Sequence, residues 1–427
     1  MKELKVILIG AGGRGRRYTN VMKEMDGRFK LVAVADPNES RRKNLQRIHD
    51  LAPESCFESW EPIFDRPKFA DVVVISTMDK LHYAPSMKAL ELGYDLLLEK
   101  PIAPTPEECV GIQKQAEKYG ARVMVCHVLR YAPFFKQLKA LIDDGLVGTI
   151  ISMEHVEGVG NIRHSLGYVR GRWNREETSA PMLLAKSCHD LDLIQWYVGK
   201  ECKRIQSFGS LSHFKKENAP EGAAEYCIDN CPHKDTCYYY APDIYAPNGV
   251  ANPKWLTSLK GEWTDEDVIH ALKTTQPGRC IYKCDNNVVD HQTVNMEFEG
   301  GTTVTMTMSA FTKGGRSIHI MGTKGELWAC PSNKEAPMVF YDFATQEKRL
   351  LDVDPNLPGE GIMNGHGGGD GGIVDALYRY MIGELTAEEV SEIGISVKTH
   401  MLVFAAEEAR HSGQVISVPE YEAKFYQ

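Results

Sequence analysis

Lys186, His189 and Asp192 stand three apart in Ala185-Lys186-Ser187-Cys188-His189-Asp190-Leu191-Asp192, so on a helix they share one broad polar face. An imidazole there gives or takes the proton of a substrate hydroxyl, and a carboxylate one turn on holds it in one tautomer. The competing reading is a capped histidine packed at a domain junction. Leu184, Cys188 and Leu191 recur at helical spacing as the buried stripe, and Ser179 and Pro181 read as the helix start. A second basic group, Lys100, closes an apolar run and precedes Pro101. Free lysine is too basic to accept a proton, with a pKa of about 10.4, but burial and a nearby cation lower it. Otherwise Lys100 is a surface lysine before a turn.

Ten residues near the start, Val-Ile-Leu-Ile-Gly-Ala-Gly-Gly-Arg-Gly at 6–15, run from an apolar strand into a glycine turn. Gly10, Gly12 and Gly15 have G-x-G-x-x-G spacing, with Gly13 and Arg14 in the same turn, and a helical run at 16–25 follows. Residues without a Cβ let backbone N–H groups approach a pyrophosphate, and the helix N-terminus adds favourable partial charge. A second strand at 29–35 ends in Asp36, 21 residues after Gly15, where a ribose-binding carboxylate belongs. The plainer alternative is an ordinary strand–helix glycine turn. Asp36 repels a 2′-phosphate and so favours NAD over NADP, whereas Arg41 and Arg42 soon after it would pair with one unless they lie on a solvated helix face.

Three further stretches mix reactive groups. Tyr168-Val169-Arg170-Gly171-Arg172-Trp173 pairs aromatic and guanidinium groups, which suits a sugar ring or a packed surface loop equally. Asn364-Gly365-His366-Gly367-Gly368-Gly369-Asp370 sets a histidine and an acid among glycines; His366 lines a substrate pocket, or Asp370 caps the next helix of a glycine loop. Cys227, Cys231 and Cys237 lie close together, and Cys280 and Cys284 follow. Thiolates from two short segments suit a structural zinc ion held by Cys227, Cys231, Cys237 and Cys280, with a disulfide or free thiols as alternatives.

The elements that position these groups fall into two textures. Residues 1–125 alternate strands (5–9, 30–35, 71–75, 94–98, 121–125) with helices, which predicts an α/β Rossmann domain with a doubly wound parallel sheet. Residues 126–427 hold one amphipathic helix at 132–143 and then mostly strands, at 149–157, 204–211, 292–299, 302–311, 316–321, 326–329 and 339–343. Their glycine turns predict a C-terminal α+β domain with a large, mostly antiparallel open sheet. So broad a sheet rarely faces water whole, so a homo-oligomer, dimer or tetramer, is expected through it. Residues from about 222 to 290, rich in Cys, Pro and Tyr, read as an insertion.

Glu99-Lys100-Pro101 after such a nucleotide turn resembles the Gfo/Idh/MocA oxidoreductases. Leu81-His82 with Ala89-Leu90-Glu91-Leu92-Gly93 resembles the family's third βα unit. Arg130-Tyr131 and Gly145-Leu146-Val147-Gly148 resemble its entry to the second domain, and His189-Asp190-Leu191-Asp192-Leu193 its active-site helix. The resemblance covers nearly the whole chain apart from the insertion. It implies NAD(P)-dependent oxidation or reduction of a sugar, inositol or related polyol. Cofactor contacts would extend to Ser76, Thr77, His82, Glu99 and Lys100, and substrate contacts to Arg130, Tyr131, Arg172, Trp173 and His366. Lys100, His189, Lys186 and Asp192 would be the catalytic set. The chain departs from the family pattern at Ala185, four residues before His189, where an aspartate is usual; Lys186 beside it would bind an oxygen-rich or anionic substrate instead. The His366 stretch resembles a segment of NAD-dependent glycosidases of the same superfamily, which oxidise, eliminate, hydrate and reduce. A non-catalytic NAD-dependent sensor is the alternative from another class.

The 427 residues are 43% hydrophobic and 25% charged, ordinary for a globular protein, with net charge −9. No basic block points to nucleic acid, and no apolar run reaches membrane-spanning length. The first strand opens within a few residues of Met1, so no signal peptide and a cytoplasmic place are expected. Eleven cysteines then suggest thiols or metal ligands before disulfides.

Overall fold

The computed structural model describes residues 2–247, 256, 264–353 and 365–426. Asn364 and the parts of the insertion at 248–255 and 257–263 lie outside the described residues.

Short, almost wholly apolar runs form the first sheet, as strands buried on both faces must. They are β1 (Leu4–Ile9), β2 (Phe29–Ala35), β3 (Cys56–Phe57), β4 (Val72–Ile75), β5 (Asp95–Leu98) and β6 (Val123–Val125). All pairs are parallel, in the order β3-β2-β1-β4-β5-β6. The order reverses between β1 and β4, which opens a crevice at their carboxyl ends. Helices Gly13–Glu24, Glu39–His49, Tyr83–Glu91 and Pro106–Tyr119 form the crossovers. The last is well punctuated: Thr105 accepts the N–H of Glu108 at 3.3 Å, Pro106 opens the first turn, and Gly120 closes it at φ 62°.

The second sheet contains β7 (Ile150–Gly158), β8 (Cys202–Ser210), β9 (His291–Phe298), β10 (Thr303–Ser309), β11 (Gly315–Gly322), β12 (Gly325–Ala329), β13 (Met338–Asp342), β14 (Lys348–Leu351) and β15 (Ile416–Ser417). Its order is β14-β13-β12-β11-β7-β10-β9-β8-β15, and among these pairs only β7 with β10 is parallel. Alternation sends Val294, Met296, Val304, Met306, Ile318 and Ile320 inward. Helices Met182–Val198 and Ile393–Ser412 pack together on the inner side, the first against β7 and the second against β8. The fold is thus α/β, a Rossmann sheet joined to a large mixed, mostly antiparallel one.

The chain returns to its beginning near its end. Helix Gly369–Met381 packs on helix Gly13–Glu24, and Ile373, Val374 and Leu377 join Leu4, Val6 and Leu8 in one core. Ser391 accepts the N–H of Val125 at 2.8 Å, and Glu392 pairs with Met124 at the edge of the first sheet. Among the described residues no helix is long and apolar enough to cross a membrane.

Candidate active site

The glycine turn is shaped by neighbours that leave no room for a side chain. Gly10 has φ +93°, and a Cβ there would lie 2.6 Å from the Ser76 carbonyl oxygen; one on Gly15 would lie 2.1 Å from that of Gly10. Gly12 and Gly13 instead face open space, the cradle a pyrophosphate needs. Ser76 Oγ donates to the Gly10 carbonyl at 2.7 Å and so clips the turn to the end of β4. Asp36 is buried at the end of β2 and accepts the N–H groups of Ala11 and Asn38, each at 2.8 Å. Arg41 lies 3.6 Å from its carboxylate, and Arg42 donates to its carbonyl at 2.6 Å. His82 bridges the carbonyls of Pro101, at 2.8 Å, and Thr77, at 3.4 Å. These residues fit a dinucleotide along the crevice.

Arg14, in the same turn, reaches two carboxylates. Its Nε donates to Glu99 at 2.9 Å and its Nη2 to Asp370 at 2.7 Å. Burial pushes Glu99 up, but Arg14 and Lys100 outweigh it and leave the carboxyl below its ordinary value. Tyr18 also donates to Glu99, at 2.5 Å. Asp370 holds His366 Nδ1 at 3.0 Å, with His366 at φ +56°. Asp370 does not cap its own helix: no side-chain cap bond exists there, and its oxygens go to Arg14 and His366.

Lys100 leaves β5 across a cis bond to Pro101, and its ammonium donates to the Ala185 carbonyl at 2.8 Å. That carbonyl belongs to the first turn of helix Met182–Val198, which also carries His189. His189 is 7% exposed, and its Nδ1 has no partner. Burial first, then Lys100, His127 and His366, hold its pKa well below the ordinary imidazole value, so it is neutral at pH 7. The His366 ring centroid is 6.4 Å away and that of His127 5.8 Å.

Asp192 does not orient His189. Its two oxygens accept Nε and Nη2 of Arg130 at 2.6 and 2.8 Å, a bidentate pair buried on both sides. Arg130 therefore faces a carboxylate and the Trp196 ring, 5.5 Å away, and not a substrate. Tyr131 is likewise committed elsewhere: its hydroxyl accepts the Ser391 N–H at 2.7 Å and meets the Ser391 hydroxyl at 2.9 Å. Arg130 and Tyr131, expected at the substrate, thus find partners in the helix and in the returning chain.

Lys186 pairs with Glu157 at 2.6 Å, and Arg316 joins Glu157 to Asp190 at 2.7 Å each. His155 Nε2 meets Asp190 at 2.8 Å. Burial pulls Lys186 below the ordinary lysine value although Glu157 opposes it. Arg172 donates to Met78 Sδ at 3.4 Å and lies 5.0 Å over the Trp173 ring, which in turn lies 6.0 Å from that of Tyr168.

Cys227, Cys231, Cys237 and Cys280 carry free thiols. Among the described residues no three His, Cys, Asp or Glu side chains are arranged to hold a metal ion, so the expected zinc site is not formed. The Cys227 sulfur instead accepts Nη2 of the buried Arg170 at 3.4 Å. The groups that sequence reasoning missed are His127, His155, Glu157, Arg316 and His400. For His127 a signal existed, since it follows β6 at the same carboxyl edge as Asp36, Ser76 and Glu99.

Comparison with known proteins agrees with this geometry. Residues 4–127 match an oxidoreductase family's NAD-binding Rossmann fold, and residues 139–347 match the same family's C-terminal alpha/beta domain. The Bacillus subtilis strain 168 protein YteT, named as an oxidoreductase, is 25% identical over 372 residues, 84% of each chain. A 2,7-anhydro-N-acetylneuraminate hydratase of Mediterraneibacter gnavus is 26% identical over 215 residues, 50% of this chain and 54% of that one. The structure of levoglucosan dehydrogenase with NADH and L-sorbose superimposes with a TM-score of 0.70 at 16% identity, covering 98% of this chain and all of that one.

Proposed function

The chain belongs to the Gfo/Idh/MocA oxidoreductase family, and from that premise we propose that it moves a hydride between NAD and a secondary alcohol carbon of a sugar, inositol or related polyol. The observation that carries this reading is the meeting of Lys100 with the helix of His189 at the carboxyl edge of the parallel sheet, through the Ala185 carbonyl. When bound, the nicotinamide supplies the hydride acceptor. The chain's own work is then to hold the alcohol and take its hydroxyl proton. His189, neutral and buried, suits the acceptor, and the Lys100 ammonium beside it stabilises the alkoxide oxygen. Trp173, backed by the buried Tyr168 ring, and Arg172 offer an apolar face with a polar rim, the surface a polyol ring fits. Lys186 adds a cation suited to an oxygen-rich or anionic substituent. Asp36, accepting backbone N–H groups where ribose hydroxyls would lie, favours NAD over NADP.

The outer face of the second sheet exposes Ile151, Phe208 and Trp328, which supports assembly of identical subunits through it. Eleven free thiols accord with a reducing cytoplasm.

A second reading is favoured by the His366–Asp370 pair facing His189 and by the hydratase relative: transient oxidation, elimination and hydration without net NADH. One experiment separates the two. Polyols, free sugars and chromogenic glycosides are offered with NAD while NADH and aglycone are followed together. NADH accumulation from a free polyol or sugar supports the dehydrogenase, and aglycone release without NADH supports the second reading. Lys100→Met must abolish turnover at unchanged NAD affinity; retained turnover would refute either.

A further inference from the structure

We propose that His127 is a positioning residue of this site, accepting the Nδ1 proton of His189 as His189 takes a proton from the substrate hydroxyl. The proposal rests on the hydride-transfer reading above and adds a residue to which that reading gives no part.

His127 lies two residues past β6 and is 1% exposed, yet neither ring nitrogen has a hydrogen-bond partner. Buried imidazole nitrogens are ordinarily bonded, and an orphaned pair calls for a reason. The groups around it come from four segments: Glu99 and Lys100 after β5, Arg130 from its own following turn, His189 and Asp192 from helix Met182–Val198, and His400 from helix Ile393–Ser412. Most are committed. Lys100 is a cation bonded to the Ala185 carbonyl, and Arg130 is spent on Asp192. His400 accepts the Ile102 N–H at Nε2, at 3.1 Å, and gives its Nδ1 proton to the Ser396 carbonyl at 2.8 Å, which locks it neutral with no spare lone pair. Glu99 is taken by Arg14 and Tyr18. Among the described residues of this group, the unpartnered basic nitrogens belong to His127 and to His189 Nδ1.

The rings meet at 5.8 Å and 81°, edge to face. With no hydrogen bond to break, the His127 ring turns in place to present a nitrogen. The bookkeeping balances. The substrate O–H bond breaks and an N–H bond forms on His189. The Nδ1–H bond of His189 breaks and one forms on His127. Burial, with Arg130 and Lys100, holds His127 down at about 4, and the Asp192 carboxylate, 3.9 Å from its Nδ1, opposes them and is what steadies the positive charge once it rests there. Asp192 thus supports the proton's destination without touching His189. The two electrons leave as the hydride that the nicotinamide accepts in that reading.

The test uses the full chain with NAD and a substrate found in the panel above. His127→Phe keeps an aromatic ring and removes both nitrogens; His127→Asn keeps a polar group without a comparable base. Both are expected to lower kcat by about 10- to 100-fold, up to the low end of what a general base touching the substrate contributes, with KM and NAD affinity changed less than twofold. The acid limb of the kcat profile should move to higher pH, since His127 is among the groups holding His189 down. A kcat within twofold of wild type in either NAD-binding variant, or an unmoved acid limb, overturns the proposal. Should no alcohol be oxidised by the wild type, the hydride-transfer reading falls by itself. Ring-15N histidine spectra of the NAD-bound chain still judge the pairing: the His189 signals must shift in His127→Phe, and unchanged signals overturn it.

Discussion

Replacing Arg130 by methionine leaves the Asp192 carboxylate buried, 1% exposed, with, among the described residues, only Thr399 Oγ1 at 3.4 Å in hydrogen-bond range and an uncharged His127 at 3.9 Å. Breaking one side of a buried ion pair costs about 3–5 kcal/mol, against at most about 1 kcal/mol for an exposed pair. This pair is bidentate and closed to water on both sides, so the larger figure applies. The pH dependence has a definite sign. In the wild type burial raises the Asp192 pKa, but Arg130, with His127 and His400, together more than offsets it, so the folded value lies below the ordinary 3.8. Its stabilisation is therefore complete above the ordinary value and is lost only as pH falls through the depressed one. Without Arg130, burial, the largest influence on this carboxyl, is opposed only by neighbouring imidazoles that are themselves held neutral by burial, and the folded pKa is expected above 3.8. The variant is then destabilised by its charged carboxylate at neutral pH and relieved as pH falls through the raised value. Urea unfolding followed by tryptophan fluorescence, with Trp196 beside the pair, measures both at pH 7 and pH 5. The gap must be several kcal/mol at pH 7 and narrow on acidification. Arg130→Met with Asp192→Leu must recover most of it. A gap under about 1 kcal/mol, or one indifferent to pH, refutes the argument that this is a buried structural pair.

Gly15→Ala forces a Cβ to within 2.1 Å of the Gly10 carbonyl oxygen. Distortion of the turn by about 1–3 kcal/mol should weaken NADH binding, read by its fluorescence, about 10- to 100-fold. Asp36→Ala should weaken NADH binding by about tenfold or more and narrow or reverse its preference over NADPH, because Arg41 then loses its carboxylate partner and faces the ribose unopposed. Phe208→Asp with Trp328→Asp places charge on the outer sheet face and should reduce the sedimentation coefficient toward that of a monomer, without loss of folded helix signal.

What the sequence made legible was local. The glycine turn, Asp36 and the strand at 94–98 before Lys100 are read from chemistry packed into a few neighbouring residues, and all gather at one sheet edge. The alternating strands of the second half were also recoverable, to within one or two residues for most of them. What escaped depended on partners far along the chain. Nothing near Asp192 says that Arg130 will take both its oxygens, and nothing near Tyr131 announces Ser391. The parallel pairing of β7 with β10 is set by the packing of a whole sheet. The cysteine spacing suggested a metal because composition cannot tell which way a thiol faces; Arg170 received Cys227 instead. His127 was readable only as the second residue after a three-residue strand.

Helix Gly369–Met381 has a consequence for how this protein is made. The first sheet closes at Val125, but one side of its core waits for Ile373, Val374 and Leu377, and its edge waits for Ser391. A ribosome emits about 5–20 residues per second, so the opening strands stand without that cover for about ten seconds or more while the middle of the chain emerges. During that interval the apolar surface around Leu4, Val6 and Leu8 is incomplete, and chaperone capture or premature association competes with folding. The dinucleotide crevice is consequently among the last features to mature, although its residues are among the first to be synthesised.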